Sequence, residues 1–136
     1  MKFRYKKCGP GILRPVIPIE ITYKDTSVQY EVLVDSGADV CIFDAQIGEL
    51  LGINITKGEK YSVSGITGKS EPYYVHTVKI KVGGWPFSIA AGFFPNISKI
   101  SGYGVVGQRG FFDIFTVKFD LIKEEIELKD RKSIRE

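Results

Sequence analysis

The stretch Val32-Leu33-Val34-Asp35-Ser36-Gly37-Ala38-Asp39 decides how this chain is read, because it sets a carboxylate at the end of an apolar, β-branched run. Val32, Leu33 and Val34 fit a strand buried on both faces. Ser36 and Gly37 are residues with which a backbone turns sharply, so Asp35 falls at a strand-to-loop junction. Burial and neighbouring charges govern a carboxylate's ionisation at such a place, which makes Asp35 a candidate for acid–base chemistry. Taken alone, an Asp-Ser-Gly also fits an ordinary surface turn.

A second stretch gives the first its weight. Gly104-Val105-Val106-Gly107-Gln108-Arg109-Gly110-Phe111-Phe112 reads as a short apolar strand ended by glycine, with a short helix predicted through Phe111, Phe112 and Ile114. Two such elements in this order, about seventy residues apart, resemble the catalytic loop of retropepsin-like aspartic proteases and the strand that passes beneath it. Arg14-Pro15 stands where that family often opens its first long strand. The likeness runs from about Leu13 to Leu128 and is to the family's single-domain, prokaryotic-type members.

The resemblance implies a mostly β fold, a retropepsin-like closed β-barrel with one or two short helices, that carries half of a homodimeric active site. Peptide hydrolysis by carboxylates needs two of them at one water, one ionised to take its proton and one protonated to polarise the carbonyl. This chain has a single Asp-Ser-Gly and is about half the length a two-lobed version would require. Asp35 would therefore meet a second Asp35 across a two-fold axis. The family roles fall on Asp35 as the catalytic group and on Ser36, Gly37 and Ala38 as its loop. Ser36 would brace the loop across the axis, and Gly37 would let the backbone approach the peptide.

Asp39 would anchor substrate main chain, Gly65 and Ile66 would lie at the tip of a flap closing over the peptide, and Val106 would contact it from the strand below. No metal or cofactor is called for, and activity should fall toward alkaline pH as both carboxylates lose their protons. One departure is visible. Relatives follow the apolar-apolar-Gly with Arg and then Asp or Asn, whereas here Gln108 precedes Arg109, so the partner of Asp39 passes to Arg109 or Arg14 or is lost. The alternative reading is a non-catalytic dimerisation or peptide-binding module of the same fold.

Composition is consistent with one domain spanning residues 1–136. A chain of 136 residues has room for one core, and its 15 glycines and short β-branched runs point to hairpins. The net charge of +3, from 19 basic and 16 acidic residues spread along the chain, describes solvated faces rather than a nucleic-acid footprint. No stretch has the eighteen or so apolar residues of a membrane span, and basic residues 1–7 lead into no apolar segment, so a cytoplasmic protein is expected. Cys8 and Cys41 then read as free thiols.

In chain order, residues 1–12 read as an extended arm broken by Gly9-Pro10-Gly11. Val16 to Tyr23 alternates Ile17, Ile19, Ile21 and Tyr23 against Pro18, Glu20 and Thr22, a half-buried strand near an edge. A turn at 24–27 returns the chain to Asp35. Val40 to Phe43 is a short apolar strand, and Asp44 caps a helix that places Ile47, Leu50 and Leu51 on one face and stops at Gly52. Residues 57–82 form two strands around the flap, with the lone His76 as a core or rim residue. Gly83-Gly84 turns a hairpin. Trp85, Phe87, Phe93 and Phe94 read as core or pocket wall, Thr116 to Leu128 as a last hairpin, and 129–136 as a frayed charged tail.

Overall fold

The computed structural model describes residues 1–64, 70–95 and 102–130. Six strands close into a ring. These are β4 (Val16–Tyr23), β5 (Thr26–Val34), β6 (Ile42–Asp44), β8 (Ser70–Val82), β9 (Trp85–Phe94) and β10 (Gly104–Val106). Their order is β4-β5-β10-β6-β9-β8, with β8 pairing back onto β4, and β7 (Glu59–Ser64) extends the sheet beyond β8. Closure removes the open edges that a flat sheet would expose. The mostly β, closed-barrel expectation therefore holds.

Local signals in the sequence account for the hairpins. In β4, Ile17, Ile19 and Ile21 are buried, while Pro18 faces out. A two-residue turn joins β4 to β5, since Tyr23 already pairs with Thr26, and Lys24 adopts a positive φ of 53° to make it. β8 joins β4 only at Glu20, Ile21 and Thr22, which leaves the Pro18 end with a neighbour on one side. That is where a residue without an N–H belongs. Gly83 and Gly84, both at positive φ, close β8 onto β9 with Val82 opposite Trp85.

The barrel interior is apolar. Phe43, Phe93 and Phe111 are its largest fully buried side chains, and Phe43 meets Phe93 edge to face at 5.9 Å. Trp85 sits at the exposed hairpin end, whereas Phe87 and Phe94 are half-buried. Helix α1 (Ala45–Leu50) is capped by Asp44, whose carboxylate accepts from the Gln46 amide at 2.9 Å. It lays Leu51 into the core but leaves Leu50 66 % exposed, contrary to the expectation that both share the apolar face.

Three further expectations are corrected. Residues 1–12 are extended but not a loose arm: β1 (Lys2–Arg4) pairs with β12 (Glu125–Asp130), and β2 (Lys6–Gly9) forms a hairpin with β3 (Ile12–Arg14). Phe3 packs opposite Ile126, so burial of that ring fastens the N-terminal end. β12 also pairs with β11 (Phe115–Asp120), giving a second sheet of order β1-β12-β11. Lys129 and Asp130 lie within β12 rather than in a frayed tail; 131–136 fall outside the described residues. No helix forms through Phe111 to Ile114. The chain makes a single turn there, with the Phe111 carbonyl accepting from Ile114 N at 3.0 Å and from Phe115 N at 2.8 Å, and β11 begins at Phe115 before a helix can propagate.

Candidate active site

Asp35 stands one residue beyond the last pair of β5 and β10, which run parallel with Val34 opposite Val106. The Asp35 amide donates to the Val106 carbonyl at 3.0 Å, so the ladder fixes its backbone. The chain then folds over. Ala38 N donates to Asp35 O at 3.2 Å, closing a four-residue turn, and Gly37 N donates to Asp35 Oδ1 at 2.9 Å. The second bond is an Asx turn, which holds one carboxylate oxygen against the loop and so orients the other. Asp35 is half-buried, and Ser36, Gly37 and Asp39 are exposed.

The floor under this loop is the segment Gly107-Gln108-Arg109. Gln108 N donates to Ala38 O at 2.8 Å and Arg109 N to Asp39 O at 3.0 Å. The Gln108 side chain adds a third link, with Nε2 donating to Ser36 O at 3.0 Å. Gly107 is required by this approach. A Cβ there would lie 2.5 Å from the Ala38 carbonyl oxygen and 2.6 Å from that of Val40, closer than real side chains come. The amide of Gly107 points at Cys41 Sγ, 3.5 Å away, while that thiol donates to the Arg109 carbonyl at 3.4 Å.

Burial pushes the Cys41 thiol up to about 11, so it is a neutral packing and hydrogen-bonding group, not a nucleophile. His76 is engaged elsewhere, with Nε2 2.8 Å from the Ile55 carbonyl of the short 3₁₀ turn Ile55–Lys57. Both cysteines are free, and Cys8 Sγ lies 3.3 Å from the Tyr103 hydroxyl. Beneath the loop strand, the Tyr30 ring occupies the space where Gly104 lacks a Cβ, and burial raises its hydroxyl to about 12. Among the described residues, no cluster of His, Cys, Asp or Glu is placed to hold a metal ion.

Asp35, Ser36, Gly37, Ala38 and Asp39 thus share one short loop, with Val106 directly under it. Val106 is fully buried, whereas the adjacent Val105 is half-buried, so the side-chain surface this strand still offers belongs to Val105. Gly65 and Ile66 lie outside the described residues. Among those that are described, neither Arg109 nor Arg14 forms an ion pair with Asp39. Sequence reasoning marked Gln108 only as a departure; the reach of its amide to Ser36 is set by a loop contact between residues far apart in the chain.

The sequence pattern of the aspartyl protease family matches residues 19–109. That span begins in β4, contains the Asp35 loop and ends on the floor segment that holds it. No curated relative matches by sequence. Among solved structures, the crystal structure of a retropepsin-like aspartic protease from Rickettsia conorii is 14 % identical, with a TM-score of 0.67, over 94 % of this chain and 89 % of that one. The EIAV protease complexed with the inhibitor HBY-793 is 23 % identical over 70 % of this chain and 82 % of its own, with a TM-score of 0.47. Since the family pattern takes in both the carboxylate loop and the strand that locks it, and the fold is similar to that of the Rickettsia protein, this chain belongs to the aspartyl protease family and has its retropepsin-like fold.

Proposed function

We propose that the protein is an aspartic endopeptidase that acts as a homodimer, with a water held and activated between two Asp35 carboxylates, one from each subunit. The observation that carries this reading is the Asp35 loop itself: a half-buried carboxylate on a strand end, with one oxygen tied by Gly37 and the backbone stitched to the floor at Val106, Gln108 and Arg109. A group held this firmly loses little freedom when a water and a peptide carbonyl arrive, which is what a positioned acid or base requires.

The chemistry demands the twin. One carboxylate can take a proton from water or donate one to a carbonyl, but not both at once, and the chain contains one Asp-Ser-Gly. A closed two-fold pairing supplies the second group with no further sequence. In the Michaelis complex the unprotonated Asp35 accepts the water proton as oxygen attacks the carbonyl carbon, and the protonated one donates to the developing oxyanion. Collapse of the tetrahedral intermediate returns a proton to the leaving amine. Gly37 and Asp39 line the approach of substrate backbone, and Val105 rather than Val106 presents an apolar surface from below.

Incubation with a degenerate peptide mixture, read by mass, tests the reading. Wild-type protein is expected to release defined fragments, and Asp35→Asn to release none while sedimenting as the same dimer. Cleavage unaffected by Asp35→Asn, or hydrolysis by a strict monomer, refutes it. A dimer that cleaves nothing supports the non-catalytic module instead.

A further inference from the structure

The proposed chemistry leaves a second feature of the site unused. Beside the far end of the Asp35 loop, between the floor and the β7–β8 hairpin, lies a cleft of about 330 Å³. Val40, Val75 and Gly92 give it apolar surface, Tyr61 and Tyr73 an aromatic wall, and Arg109 is the one charged residue among its described lining. This is the arginine that the family pattern would have placed one position earlier.

Each part is held in position. Tyr61 and Tyr73 are cross-strand partners whose rings stack at 5.6 Å with an interplanar angle of 21°. The Tyr73 ring lies against β9 where Gly92 has no side chain, since a Cβ there would be 2.7 Å from it. Arg109 is anchored through its backbone, by its amide bond to Asp39 O and by a bridge to Val40. Its guanidinium forms no ion pair with any described residue. The carboxylate nearby, Glu59, is engaged by the Tyr61 hydroxyl, and that hydrogen bond holds the phenol above its ordinary range while Arg109 pulls the other way. The cleft therefore presents, over an apolar, aromatic floor, an exposed cation that has no ion-pair partner among the described residues.

Its location ties it to bound peptide. Val40 follows Asp35 by five residues, so the cleft wall lies within about 18 Å of the carboxylate even at full extension. An extended substrate covers that distance in about five residues. We propose that this cleft is a specificity subsite that takes an acidic side chain, glutamate in particular, at one position within about five residues of the bond to be cut. The methylenes would lie along Tyr73 and Val75, and the carboxylate would pair with the Arg109 guanidinium, a planar fork suited to two parallel hydrogen bonds. A lone apolar or aromatic occupant would leave the guanidinium without a counter-charge. The proposal rests on the proteolytic reading for its substrate, but the recognition itself needs no turnover.

The test separates the two. Full-length Asp35→Asn protein is equilibrated at low ionic strength with an equimolar mixture of random octapeptides, and the retained peptides are read by mass for the Glu-to-Gln ratio at each position. The expected result is about tenfold enrichment of Glu at one position, near parity after the further change Arg109→Gln, and partial enrichment with Arg109→Lys. Wild-type protein should then cut peptides bearing Glu at the matching distance in preference to those bearing Gln. No retention, Glu-to-Gln parity, enrichment spread evenly over all positions as bulk charge would give, or enrichment that survives Arg109→Gln each overturns the proposal. Enrichment at one position with no cleavage by the wild type upholds the subsite and rejects the protease.

Discussion

The floor and the roof of the candidate site are built to different standards. Below, the Asp35 loop is tied to residues 106–109 by three backbone hydrogen bonds and the Gln108 side chain, and rests on strands that have neighbours on both sides. Above, among the described residues, β7 pairs with β8 alone. β8 leaves β9 at Tyr74, so from Tyr73 to Ser70 its partner is β7 only. A two-stranded ribbon without further support is marginal in water, whereas a closed barrel opens only with the whole domain. The difference matches the two tasks. Under the proposed function a carboxylate would have to be held still, and a cover would have to move aside for peptide to enter.

The largest effect should come from forcing the floor apart. Gly107→Ala sets a Cβ against two backbone oxygens, which no change of rotamer relieves, so the Asp35 loop must lift. We expect a loss of about 3 kcal/mol in urea denaturation and loss of peptide cleavage, since overpacking against fixed backbone lies at the upper end of its usual range. A variant with wild-type stability would mean that the floor yields as easily as the roof.

Next in size is an alkaline effect within the same floor. The folded Cys41 thiol is raised from 9.0 to about 11 by burial. In the unfolded chain this thiol gives up its proton first, so the unfolded state binds fewer protons between these two values, and stability falls as pH rises from about 9 to about 11. The loss should approach about 2 kcal/mol, read as the slope of unfolding free energy against pH, and Cys41→Ala should flatten it. Tyr30, raised from 10.0 to about 12, leaves a residual slope at the upper end. An unchanged slope in Cys41→Ala would show that the thiol is hydrated in the folded protein.

What was legible in the sequence follows the same division between local and non-local causes. The alternation of β4, the Gly83-Gly84 hairpin and the Asp44 cap are each written in a few neighbouring residues, and each is found where it reads. Leu50 and Leu51 fit a helical stripe equally well, and only the landing of α1 on the barrel separates the exposed one from the buried one. Val105 and Val106 must face opposite ways, but a period of two does not say which faces in. Pairing of β1 with β12 joins the two ends of the chain, and Gln108 reaches Ser36 across the loop. No short window of sequence contains either contact. The carboxylate was readable because its loop motif is contiguous; the cleft at Arg109 was not, because its walls come from β7, β8 and β9.

The smallest effect should separate roof from floor most sharply. Tyr61→Ala removes a stacked ring from the ribbon, a cross-strand pair worth about 0.5 to 1 kcal/mol, at a side chain that is 44 % exposed and outside the core. Global denaturation would scarcely register it. Amide hydrogen exchange would, because the ribbon opens on its own: protection of the paired amides between Tyr61 and Tyr73 should drop about threefold to fivefold, with those of β4 and β5 unchanged. If exchange instead quickened equally in the ribbon and in the barrel, the two would be one cooperative unit. The cover could then admit peptide only by loosening the strands that hold Asp35, and the division of labour between a fixed floor and a compliant roof would be lost.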